Sequence, residues 1–127
     1  MTAPIYIVDD DAHLAESIGT VLALQGLAFR HFPSAAAFLE AADGLEVGCV
    51  LLDVHMPGMN GLAALQTLRE RGIAWPVIVS TTDVDHSVED LAWVYGAVEF
   101  LRKPYDGARL LRMLRSRLGA MNAQSES

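Results

Sequence analysis

Five short apolar runs punctuate the chain, at residues 5–8, 27–32, 47–52, 77–80 and 98–102, each with the length and polar boundaries of a β-strand. Helical periodicity fills the intervals. Leu14, Ile18, Val21, Leu22 and Gln25 recur at the i, i+4, i+7, i+8 spacing of one helix face, closed by Gly26. Ser34 is placed to cap a short helix through Phe38 and Ala41. Asn60 can cap another carrying Leu62, Leu65 and Leu68, which Gly72 stops ahead of Pro76. A fourth helix sets Val84, Val88, Leu91 and Tyr95 on one stripe, and a fifth starts at Asp106 with Leu110, Leu111, Leu114 and Leu118 on another.

Strict alternation of strand and helix predicts parallel strands with right-handed crossovers, an open α/β sheet covered by helices on both faces. Runs one, three and four are apolar throughout, as strands buried on both faces must be. Run two contains Arg30 and His31, and run five Glu99 and Arg102, so these two go to the edges. The doubly wound order 2-1-3-4-5 satisfies that requirement, and ligands then belong at its switch point between strands one and three.

At 127 residues, with no internal repeat, the chain fits one core without disulfides. We expect one domain over residues 1–120, and a flexible tail or the start of a linker over the small, polar 121–127. No apolar run approaches the roughly 18 residues of a membrane span. The N-terminus enters a strand with no basic region or long apolar segment, so neither a membrane nor a secretory signal is expected, and the location is cytoplasmic. Cys49 cannot pair within the chain and reads as a small core residue. A formal charge of -7 would repel phosphate backbones, which excludes nucleic acid as a partner of this segment. The basic residues are eight arginines and a single lysine, Lys103.

Asp9, Asp10 and Asp11 follow the first strand, Asp53 ends the third, Thr81 the fourth and Lys103 the fifth, so the fold collects them at one rim. Asp11 reads as the cap of the first helix. Carboxylates within about 4 Å repel by about 4 kcal/mol per pair at an effective dielectric near 20, which calls for a cation. Oxygen donors without a His or Cys cluster suit Mg²⁺ (or Mn²⁺), which keeps several waters and takes phosphate oxygens as further ligands. His13, His31 and His86 lack metal spacing and read as surface residues. Lys103 supplies a mobile positive charge for a phosphoryl oxygen and Thr81 a hydroxyl donor, leaving Asp53 as a nucleophile able to form an acyl phosphate.

With "IVDDD", "LLDVHMPGMNG", "SAAAFL" and "GAVEFLRKPY", the chain resembles a response regulator receiver domain of bacterial two-component signalling, from Ile5 to about Leu118. It is most similar to the receivers of the nitrogen-fixation regulator type that precede a helix-turn-helix module. The resemblance implies a flavodoxin-like (βα)5 fold, with Asp53 as phosphoacceptor, Asp10 as direct metal ligand and Asp9 acting through a bound water. It makes the backbone carbonyl of His55 a further ligand, Lys103 the phosphate-binding lysine, Thr81 the switch hydroxyl and Phe100 the aromatic that moves with it. It also implies that the Lys103–Pro104 peptide is cis.

Two positions depart from the family pattern. Ser80 offers a hydroxyl beside Thr81, and Thr82 stands where Ala or Gly is usual. His55 and Asp83 occupy the positions that tune phosphoryl loss, which implies an altered lifetime. The implied partners are a sensor histidine kinase or phosphotransfer protein, and a second copy through the fourth helix, fifth strand and fifth helix. Trp93, expected partly exposed, would contribute there with Tyr95, Arg102, Tyr105, Arg109, Arg112 and Arg115. A haloacid-dehalogenase-like phosphohydrolase is the rival enzyme reading, but it wants a second acid where His55 stands. A flavodoxin-like cofactor binder leaves the acids unexplained.

Overall fold

The structure is a computed structural model that describes residues 3–126, with side chains for residues 3–121. Strands and helices alternate as β1 (Ile5–Val8), α1 (Ala12–Leu24), β2 (Phe29–Phe32), α2 (Ala35–Ala42), β3 (Cys49–Asp53), α3 (Gly61–Glu70), β4 (Val77–Thr81), α4 (His86–Val94), β5 (Glu99–Arg102) and α5 (Gly107–Glu126). The strands form one sheet in the order β2-β1-β3-β4-β5, all pairs parallel. Every residue of β1, β3 and β4 is buried, whereas β2 and β5 carry their charges at the edges. No described helix is long and apolar enough to cross a membrane. The expected tail over 121–127 falls, from residue 122 on, outside the residues with described side chains.

Each strand sends alternate side chains to opposite layers. Tyr6, Val8, Val50, Leu52, Val77, Val79 and Phe100 pack beneath α2, α3 and α4. Ile5, Ile7, Cys49, Leu51, Ile78 and Leu101 pack beneath α1 and α5. Cys49 is buried in the second layer, which pushes its thiol up to about 12 and makes it an inert core residue.

The expected caps are in place, with Asp11, Ser34 and Asn60 accepting from the backbone N–H of Leu14, Ala37 and Ala63. Two expected stripes hold only in part. In α1 the buried residues are Ala15, Ile18, Gly19 and Leu22, while Val21 stands 41% exposed, because Gly19 lets the helix settle on the ring of Phe29. In α4 only Ala92 is buried, with Val88 and Tyr95 packed beside it. Val84 precedes the helix at 82% exposure and Leu91 faces outward. Small residues let both helices approach closely, and a count of large apolar positions overlooks them. The second strand begins two residues later than its apolar run, since Leu27 N–H still bonds to Leu22 in the turn that closes α1 through Gly26 at φ 73.

Arg69 of α3 fastens the lower loops. Its guanidinium donates to the carbonyls of Ile73 at 2.8 Å, Trp75 at 3.0 Å and Gly96 at 2.9 Å, tying the approach to β4 to the turn after α4. Replacing Arg69 with Ala is expected to cost about 2 kcal/mol, or roughly 8 °C in melting temperature for a domain of this size. A melt within about 2 °C of the native chain would show that water replaces the clamp.

Candidate functional site

β1 and β3 are neighbours at the switch point, and their carboxyl ends bring the acids together. Asp9 and Asp53 are 4% and 5% exposed, Asp10 lies at the surface, and one carboxylate oxygen from each can lie within 4.8 Å of the other two. Lys103 reaches over from the end of β5, its Nζ 2.7 Å from Asp9 Oδ2 and 3.4 Å from Asp53 Oδ1. Asp9 Oδ1 accepts from the N–H of Asp11 at 2.9 Å, so both Asp9 oxygens are engaged. Asp9, Asp53 and Lys103 share the sheet face of Ile7, Leu51 and Leu101.

Burial first, then the charge of Asp9, pushes the Asp53 carboxyl up to about 6 against the pull of Lys103. Burial works against the charge on Lys103, yet its hydrogen bond to Asp9 and the charges of Asp9 and Asp53 hold it above its usual value. Three carboxylates against one ammonium leave an excess of negative charge on hard oxygen donors. That set fits a divalent cation that prefers oxygen.

The structure separates the remaining expected residues into two groups. The β3–β4 register pairs Asp53 with Ser80, and the pleat gives Ser80 the same face as Asp53. Its hydroxyl is buried and has no hydrogen-bond partner among the described residues. Thr81, fully buried, follows Val79 toward the α4 layer, where its Oγ1 accepts from the N–H of Asp83 at 3.0 Å. Phe100 and Arg102 lie on that same face, with the Arg102 guanidinium 5.2 Å from the ring centroid of Phe100. Arg102 also donates to the carbonyl of Asp83 and to Glu89 Oε1, while Trp93, 44% exposed, donates to Glu89 Oε2 at 3.2 Å.

The side chain of His55 turns to Asp83, with 3.1 Å between Nε2 and Oδ2, bridging the loops after β3 and β4. The N–H of Asp85 and then His55 hold the Asp83 carboxyl below the usual carboxylate range. The Lys103–Pro104 peptide is cis.

Two expectations need correction. Tyr105 is not on the α4 side. It packs in the α1–α5 layer, on the sheet face of Leu101 and Lys103, and lines a groove with Leu14, Ser17 and Val21. Arg115 likewise faces α1, donating to Gln25, whereas Arg109 and Arg112 are exposed. His31, read as a surface residue, is half-buried at the end of β2, and its Nε2 lies 2.7 Å from the carbonyl oxygen of Asp9. Only the β1–β2 register brings the two together, and no spacing signals it.

The family model that describes the response regulator receiver domain matches residues 5–115. The transcriptional regulatory protein FixJ of Azorhizobium caulinodans is 41% identical over 116 residues, covering 91% of this chain and 55% of that protein. A crystal structure of full-length FixJ from B. japonicum is 34% identical with a TM-score of 0.88, covering 98% of this chain and 61% of that one. A CheY-like receiver domain protein from Methanospirillum hungatei JF-1 has the same fold, with a TM-score of 0.90 at 21% identity and coverage of 98% and 99%. The chain spans about half the length of the curated relatives it matches, at 55% and 56% of two of them.

Proposed function

The chain belongs to the response regulator receiver family of two-component signalling, and from that premise we propose that it is a phosphorylation switch with Asp53 as phosphoacceptor. The convergence of the buried Asp53 with Asp9, Asp10 and the single lysine carries this reading. An oxygen of the ionised Asp53 bonds to the phosphorus of a phosphohistidine on a sensor kinase or phosphotransfer protein, and the bond from phosphorus to the histidine nitrogen breaks. Lys103 neutralises a phosphoryl oxygen as the transfer proceeds. Asp53, Asp10 and the His55 carbonyl would hold Mg²⁺ or Mn²⁺, with Asp9 acting through water. When bound, the ion supplies charge neutralisation and a template for the phosphoryl oxygens.

Phosphate on Asp53 gives Thr81 Oγ1–H an acceptor at the rim, and Thr81 shares its sheet face with Phe100 and Arg102. The face built from α4, β5 and α5, with Trp93, Tyr95, Arg102, Arg109 and Arg112, then changes its affinity for partners, a second copy included. Several curated relatives are named as transcriptional regulatory proteins and are about twice as long, which supports output through an effector beyond this segment. The phosphohydrolase alternative lacks support, since His55 stands where its acid is needed and is paired with Asp83. Acetyl phosphate with Mg²⁺ should add one acid-labile phosphoryl group per chain. Release of phosphate far beyond one equivalent, without labelling, would instead favour the hydrolase.

The His55–Asp83 bridge joins the loops that follow Asp53 and Thr81, where it would restrict the water that hydrolyses the acyl phosphate. Opening it with Asp83→Ala should shorten the phosphoryl lifetime, by no more than about fivefold because the pair is largely exposed. Decay of labelled protein after removal of acetyl phosphate measures this, and an unchanged or longer lifetime contradicts it.

A further inference from the structure

The position of His31 extends the metal reading to a residue outside the acid cluster. β1 and β2 run in register from Ile5 opposite Phe29 to Val8 opposite Phe32, and the N–H of Asp9 continues the ladder by donating to Phe32 O at 3.1 Å. In a continued parallel ladder the Asp9 carbonyl would next accept from the backbone of residue 34. β2 ends at Phe32 as the chain turns into α2, and no Ser34 N–H to Asp9 O bond forms among the described residues, so that rung is missing. The His31 imidazole takes its place, with Nε2 2.7 Å from Asp9 O. A carbonyl oxygen only accepts, so Nε2 carries the hydrogen.

This bond acts on the peptide plane between Asp9 and Asp10. The Asp9 side chain is already held at both oxygens, by Asp11 N–H and by Lys103, while Asp10 is exposed and takes its direction from the backbone that leads into it. We propose that His31 is a positioning residue for the cation site, its Nε2–H fixing the Asp9–Asp10 peptide so that the Asp10 carboxylate faces the metal. Partners behind metal ligands orient them in this way and are nearly as important as the ligands. The inference rests on the reading of Asp9, Asp10 and Asp53 as a divalent-cation site.

Mn²⁺ titrated into the full chain, with free ion counted by electron paramagnetic resonance, separates the two readings. The native chain should bind one Mn²⁺. His31→Met, which has similar bulk and no N–H donor, should bind about tenfold more weakly, and His31→Gln, whose amide reaches the same carbonyl, should recover most of that loss. If the native chain binds no Mn²⁺, the cation site itself fails and this inference with it. If the native chain binds and His31→Met binds equally well, or His31→Gln is as weak as His31→Met, the cation site stands and the role of His31 falls.

A measurement on the native chain guards against a variant that does not fold. As Mg²⁺ is added, the nuclear magnetic resonance signal of His31 Nε2–H should shift with the same midpoint as the Asp10 amide. A stationary His31 signal beside a moving Asp10 amide overturns the inference.

Discussion

Asp53→Asn is expected to abolish Mg²⁺-dependent labelling by acetyl phosphate while leaving the fold intact. Asparagine keeps the shape but offers only an amide oxygen, a far weaker nucleophile than a carboxylate. Labelling that survived would move the phosphoacceptor to another residue. The substitution also tests the electrostatics of the site in metal-free buffer. The folded carboxyl lies at about 6 and its ordinary value is 3.8, so the folded chain binds this proton more tightly than the unfolded chain does. The contribution is therefore fully present below about pH 4 and is lost as pH rises through about 6, by at most about 3 kcal/mol.

The D53N variant carries no such proton. Its melting temperature relative to the native chain should therefore rise between pH 4 and pH 7 when both are held in a chelator. Saturating Mg²⁺ should narrow the gap, because the native carboxylate then has a cation to face. A difference independent of pH would mean that Asp53 is not held in the unfavourable environment its burial implies.

Gly61→Ala should damage stability and chemistry together. Gly61 opens α3 and folds back on the end of β3, its N–H donating to Val54 O at 2.8 Å. A Cβ there would lie 2.1 Å from the carbonyl oxygen of Asp53, 2.9 Å from its carbon and 3.0 Å from Val54 Cα. All three are backbone atoms of Asp53 and Val54, so no rotamer change relieves the clash. Overpacking of this kind costs about 3 kcal/mol, roughly 12 °C for a domain of this size. A displacement of about 1 Å at Asp53 should slow labelling about 100-fold.

Gly58 supplies the control. It has φ +82, yet nothing lies within 4 Å of its Cβ direction, so Gly58→Ala pays only the cost of a left-handed backbone, about 1 kcal/mol. Labelling should keep its rate in the Gly58 variant and slow about 100-fold in the Gly61 variant. Equal labelling in both variants would show that the turn yields without moving Asp53.

Much of this protein is legible in one dimension, because strands and helices repeat with short periods. Runs of buried residues at β1, β3 and β4, and charges at Arg30, His31, Glu99 and Arg102, were enough to order the sheet. Once that order is known, Asp9, Asp10, Asp53 and Lys103 fall at the same end of the sheet, since the carboxyl ends of parallel strands share one rim. The stripes of α1 and α4 were harder to read. Their contacts run through Ala15, Gly19 and Ala92, which are chosen by the close approach of a helix to a sheet rather than by apolar bulk.

By itself, then, the sequence determined the layers, the sheet order and the identity of the acids and the lysine, all of which follow from local periodicity. Only the tertiary structure decided which sheet face each residue serves. It set Ser80 beside Asp53 and Thr81 on the face toward α4, turned Tyr105 toward α1 and joined His55 to Asp83. It also brought His31 to the carbonyl of Asp9 and Gly61 against the backbone of Asp53. These pairings depend on strand register and on contacts of a few ångströms between segments far apart in the chain, and neither is encoded in a period of 2 or 3.6 residues.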